Sequence, residues 1–277
     1  MQREPFKRIE EVAQGQLVNF QESMRLFPDV LQWAERVKEY ISLSNLLENC
    51  PIREYTHLLH LANKSFIHSL IIQMQLHHFH AVAIERIGVD AIRQMAIIEV
   101  NVSDHVRIWQ DYNWRKINCA NTKQIEDDYN RVFSRQARTH NYSRFLPNDL
   151  RDEIQSRWER CCDWGSHANF NTMILSVSYP DPTTEVFSFF DRIEAKPWDV
   201  GVGISLVVDT FFILARVAAR IFEQHDQALL RSSAELDSIW DEWHTFKMQK
   251  AKEWGIGEFA KATRSGETTT EHTRGLI

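Results

Sequence analysis

Arg160 and His167 are separated by six intervening residues in the run Arg160-C-C-D-W-G-S-His167. A guanidinium fork neutralises a phosphate in two directions at once, and an imidazole moves protons near neutral pH. Together they supply the anion stabiliser and the acid or base that phosphodiester cleavage needs, without a metal. Arg135 and His140 form a second pair of the same kind, in Arg135-Q-A-R-T-His140. Around it lies a basic, aromatic-laced stretch: Arg131, Arg135, Arg138 and Arg144 alternate with Phe133, Tyr142 and Phe145. In a helix the first three arginines share a face that suits an RNA backbone, with aromatic rings available to bases. Each of these features also has a plain structural reading. Arg160 is then a solvated helix-end arginine, His167 a histidine bonded to backbone, and the basic face is paired with Asp127 and Asp128.

The histidines offer a different chemistry. His57, His60, His68, His77, His78 and His80 crowd one segment, and Glu54-x-x-His57 has the carboxylate–imidazole spacing of di-iron bundles. Such a site needs a second Glu-x-x-His and two further helix glutamates, and no second copy lies in the expected helices. No metal and no cofactor are therefore expected. The four cysteines, Cys50, Cys119, Cys161 and Cys162, form no C-x-x-C. Cys161 falls on an apolar stripe, where packing is its expected role. There is no phosphate-binding glycine loop, dinucleotide glycine motif, nucleophile elbow or zinc-finger spacing.

The segment from Arg160 to His167 resembles the signature of the HEPN class of all-helical domains: an Arg, four to six residues, then a His. In active members of that class two such pairs meet across a dimer and cleave RNA without metal. The resemblance implies that Arg160 binds phosphate, that His167 is the acid or base, and that the partners are RNA and a second copy of the chain. The run Ser166-H-A-N-Phe170 is also similar to a stretch in a family of uncharacterised bacterial helical proteins. These carry an Arg-to-Glu helix upstream, which Arg93 and Glu99 echo. The likeness spans about residues 54–225. The alternative, from another functional class, is a non-enzymatic interaction or scaffold protein of the same architecture.

Whatever the chemistry, helices must position it. Nine glycines and seven prolines in 277 residues suit long helices. The fold expected is all-α, a bundle of about six or seven helices. Its centre is Val200–Phe222, apolar almost all round, with Asp209, Arg216 and Arg220 on one narrow face. The uninterrupted apolar run before Asp209 is far shorter than the ~20 residues a membrane span takes, so a buried central helix is expected and a membrane is not. Phe211, Leu214 and Ala218 should be buried. A long helix is expected from Arg53 to about Arg86, broken at Gly88, and another from about Val89 to Trp114. On the latter, Glu99 flanks an apolar face and wants a partner. Arg216 or Arg220 is the partner expected, as a structural ion pair.

Leu150, Ile154, Trp158 and Cys161 make a buried stripe, and Ser233 is placed as the cap of a last helix carrying Leu236, Ile239, Trp240, Trp243 and Phe246 inward. Residues 172–192 hold the chain's one β-hairpin candidate. The organisation expected is an N-terminal helical extension over 1–50, the bundle over 51–254 and a disordered tail over 255–277. A net charge of −6 argues against bulk attraction to nucleic acid while leaving room for a local basic face. The charged start without an apolar export core points to a cytoplasmic protein with reduced thiols.

Overall fold

Residues 7–41, 50, 52–115, 122–133, 146–165, 197–225 and 231–254 are described by a computed structural model. Along them run nine α-helices and no strand. In order these are α1 (Lys7–Leu26), α2 (Pro28–Tyr40), α3 (Arg53–Met74), α4 (His78–Val100), α5 (Val102–Gln110), α6 (Thr122–Phe133), α7 (Asn148–Gly165), α8 (Pro197–Glu223) and α9 (Ser233–Glu253). A π-helical turn, Asp111–Arg115, continues α5. The all-α expectation holds, with more helices than expected among the described residues. The hairpin candidate at 172–192 and the tail at 255–277 lie outside them.

The helix count rises because two breaks fall elsewhere than glycine suggests. Gly88 does not end a helix; it sits inside α4. The ring of Phe211 on α8 approaches so closely that a Cβ at Gly88 would lie 2.7 Å from it. The glycine is used for close packing. The real corner comes earlier, at Leu76, whose φ is 67°. There the His77 N–H donates to the Ile72 carbonyl at 3.1 Å and the Leu76 N–H to the Gln73 carbonyl at 3.0 Å. That is the bonding of a Schellman stop, which glycine usually occupies. A left-handed leucine costs about 1–2 kcal/mol, and burying a leucine side chain returns about 1.5–3 kcal/mol. Leu76 is buried, so the second effect prevails. The other break is Asn101 (φ −154°, ψ 81°), which separates α4 from α5.

At the centre stands α8, with Phe211, Leu214 and Ala218 all fully buried as expected. Helices α2, α3, α4, α7 and α9 pack around it. Its Val200–Glu223 stretch is long and apolar enough to cross a membrane, and 83% of its apolar window is buried inside the bundle. Val30, Ala34, Val37 and Tyr40 of α2 belong to the same core as α8. The expected boundary near residue 50 therefore does not coincide with a break in the core. The α7 stripe Leu150, Ile154, Trp158 and Cys161 is buried. On α9 Leu236, Trp240 and Trp243 are buried, with Ile239 and Phe246 packed partly against the core.

The cap of α9 is Ser232, one residue before the expected Ser233. Its hydroxyl accepts from the Glu235 N–H at 3.2 Å, while the Glu235 carboxylate accepts from the Ser232 N–H at 2.9 Å. This reciprocal box satisfies two amides that the helix start leaves open. The Ser233 N–H instead donates to Glu223 at 2.7 Å and ties the start of α9 to the end of α8.

Candidate functional site

Arg160 lies near the end of α7, and its guanidinium turns inward toward α4 and α8. Its Nη2 donates to the Glu85 carboxylate of α4 and, at 2.8 Å, to Thr210 Oγ1 of α8. The hydroxyl lies 3.1 Å from Glu85 Oε2 and 2.9 Å from the Leu206 carbonyl, either of which accepts its single proton. The Glu85 side chain is only 2% exposed and that of Arg160 19%. Burial raises Glu85 above the ordinary carboxylate range, and Arg160 and Thr210 draw it back. An arginine stays charged throughout, so this is a charge-assisted bond across three helices.

Next to Thr210 on the same helix is Asp209, fully buried. It accepts from Trp243 Nε1 at 2.6 Å, from Lys247 Nζ at 2.9 and 2.7 Å, and from Arg157 Nη2 at 3.4 Å. Burial works to raise its pKa; the charges of Lys247 and Arg157 and the hydrogen bonds from Lys247 and Trp243 overcome that and hold it at about 2. Burial pushes the Lys247 ammonium down, with Asp209 opposing. Arg157 and Arg160 are neighbours three apart on α7, so the two clusters form one buried seam. In it Arg157, Arg160 and Lys247 face Glu85 and Asp209.

A third cluster corrects the expected ion pair. Arg216 donates through Nε to Asp237 and through Nη1 to Glu153, both at 2.8 Å, and Arg220 donates to Asp237 at 2.8 Å. Neither reaches Glu99. That carboxylate does have partners: Tyr55 donates to it at 2.6 Å and His225 at 2.8 Å. The arginine stripe faces α7 and α9, where Glu153 and Asp237 stand, whereas Glu99 meets Tyr55 of α3 and His225, which lies in the turn just beyond the end of α8. Burial and Glu99 push the Tyr55 hydroxyl far above its usual range.

Arg93, which resemblance groups with Glu99, is fully buried. Its Nη2 donates to Gln155 at 2.9 Å, and its guanidinium lies 4.4 Å from the Trp158 ring centroid. Trp158 in turn donates to Asp90 at 2.9 Å, so α4 and α7 are joined by a polar and aromatic lace.

His167, Arg135, Arg138, His140 and Arg144 lie outside the described residues. Of the basic stretch, Arg131 is described: it is exposed at the end of α6 and donates to Asp128 at 2.7 Å. Phe133 is buried, and Tyr129 stacks between it and Tyr112 at centroid distances of 4.8 and 3.8 Å. Those rings bind α5, its π-turn and α6 to one another. His57, His60, His68 and His80 are exposed, and His77 and His78 are half-buried at the α3–α4 corner. Among the described residues no three His, Cys, Asp or Glu side chains gather as a metal set. Burial pushes the Cys161 thiol up to about 12, which leaves it inert as a nucleophile.

Sequence reasoning missed Glu85, Arg157, Thr210, Lys247, Glu153 and Asp237. Two carried a readable signal. Glu85 falls four residues after Ala81 and three before Gly88, inside an apolar face. Lys247 follows Trp243 by four, on the buried stripe of α9. A charged residue on a stripe of that kind announces a buried partner. Comparisons with protein-family models, curated proteins and solved structures give no match.

Proposed function

We propose that this chain is a non-enzymatic helical interaction or scaffold protein, in which Arg160 serves the fold. One observation carries the reading: the Arg160 guanidinium is engaged by Glu85 and Thr210 in the interior. Both bonds run through Nη2, and drawing the guanidinium off Glu85 toward a phosphate would leave a buried charge uncompensated, which is expensive. Arg131 supports the same reading. Its charge is matched by Asp128, in a segment that also carries Glu126 and Asp127.

The test is incubation of purified protein with single-stranded and structured RNA in EDTA, beside His167→Ala. The scaffold reading expects intact RNA with both proteins. Metal-independent cleavage that disappears in His167→Ala, with melting unchanged, would overturn it in favour of a HEPN-like ribonuclease acting as a dimer. Cleavage retained in His167→Ala would also overturn it, and would move attention to Arg135 and His140.

A further inference from the structure

The α3–α4 corner joins three unusual features. Leu76 is left-handed there, with φ 67°. Immediately after it come His77, His78 and, two residues on, His80. The corner is also where α1 is attached. The Ser23 hydroxyl donates to the Met74 carbonyl at 3.0 Å, and Gln16 Nε2 meets His77 Nε2 at 2.7 Å. Phe20 packs partly against the core, while Leu17, Val18, Met24 and Leu26 remain exposed.

His78 is wired into the interior. Its Nδ1 lies 2.5 Å from the amide nitrogen of Gln73, so the neutral ring accepts that hydrogen bond. Gln73 is buried, and its amide is wedged against α8: a Cβ placed on Gly203 would lie 1.8 Å from Gln73 Nε2. Proton uptake at Nδ1 would turn the acceptor into a donor facing a donor, so the bond would survive only if the buried Gln73 amide turned over to present Oε1. Among the described residues, the groups facing His78 include no acidic side chain. On its own helix they are His77 and, edge-on to His77 at 5.7 Å, His80. From α3 comes uncharged Gln73, from α1 uncharged Gln16 on His77, and from α8 the bare Gly203.

We propose that the α3–α4 corner is an acid-operated clasp, which holds α1 on the bundle at neutral pH and releases it when His78 takes a proton. Protonation breaks the His78–Gln73 bond, lets the left-handed Leu76 relax, and displaces the His77 ring and Met74 carbonyl on which α1 hangs. The core helix α8 keeps its own seam of ion pairs and stays folded.

The titration fits the geometry. Burial, and then the neighbouring charge of His77, lower His78 from its ordinary 6.5 to about 4. Between those values the opened corner binds a proton that the closed one refuses. The opening constant therefore rises about tenfold for each pH unit of acidification, roughly 300-fold across the window.

Amide hydrogen exchange on the full chain, corrected for the intrinsic rate at each pH, reads this directly. Protection of α1 amides should fall about tenfold per pH unit below about pH 6.5 while α8 amides keep theirs. In His78→Asn, whose carbonyl still accepts from Gln73 but does not titrate, the α1 slope should vanish. Protection of α1 that is independent of pH in the wild-type chain overturns the proposal. So does a slope that survives in His78→Asn, or a loss of protection that α1 and α8 share.

Discussion

Replacing Arg160 by methionine, which keeps most of the volume and removes the charge, separates a structural arginine from a catalytic one. The substitution leaves Glu85 buried with Thr210 as its remaining hydrogen-bond partner and only the more distant charge of Arg157 beside it. Removing one member of a buried ion pair costs about 3–5 kcal/mol, because the other charge stays uncompensated. For a chain of this size each kcal/mol moves the melting temperature by about 2–4 °C, so a fall of roughly 6–20 °C is expected. Glu85→Met alone should cost a similar amount, and the double variant much less than the sum, since two apolar residues pack where the pair was. The coupling in that cycle should reach at least about 2 kcal/mol.

The pH response supplies a second reading of the same variant. Burial raises Glu85, and losing Arg160 raises it further. A carboxyl raised in the folded state favours the fold when protonated, and that contribution is lost as pH rises through its folded value. Arg160→Met should thus regain stability on acidification relative to wild type. Urea denaturation monitored by circular dichroism, at neutral and mildly acidic pH, measures both effects. An Arg160→Met midpoint equal to wild type, or strictly additive single and double variants, would refute the buried-pair reasoning.

Three further outcomes follow from the seam and the core. Leu214→Ala empties a fully buried site on α8 and should cost about 2–5 kcal/mol by thermal or chemical denaturation. Gly88→Ala should destabilise despite alanine's better helix propensity, because the new methyl meets the Phe211 ring; the cost expected is about 1–3 kcal/mol, and Gly88→Ala with Phe211→Leu should recover part of it. Asp209 is lowered from an ordinary 3.8 to about 2, so its contribution is complete above 3.8 and lost as pH falls toward 2. The stability difference between wild type and Asp209→Asn should therefore shrink by about 2 kcal/mol on going from about pH 5 to pH 2.

Apolar periodicity, with the scarcity of glycine and proline, made the all-α class legible, along with the central helix, the α7 stripe and the inward tryptophans of α9. Those features depend on spacing along one helix, and spacing is written in the chain. The same logic flagged Glu99 as a half-buried carboxylate in need of a partner, and it has two. Which partners it takes was settled by how α4 packs against α3 and against the turn that follows α8, a quantity no single helix encodes. The fate of Gly88 and Leu76 shows the same division. Local preference assigns the break to glycine, and tertiary packing reverses it: a phenylalanine from α8 claims the space beside Gly88, while burial compensates leucine for its left-handed backbone. Arg160 was visible as a residue able to grip an anion. That the anion is Glu85, from a helix 75 residues away in the chain, was decided when α4, α7 and α8 came together, because a charge buried by packing takes the nearest opposite charge that packing supplies.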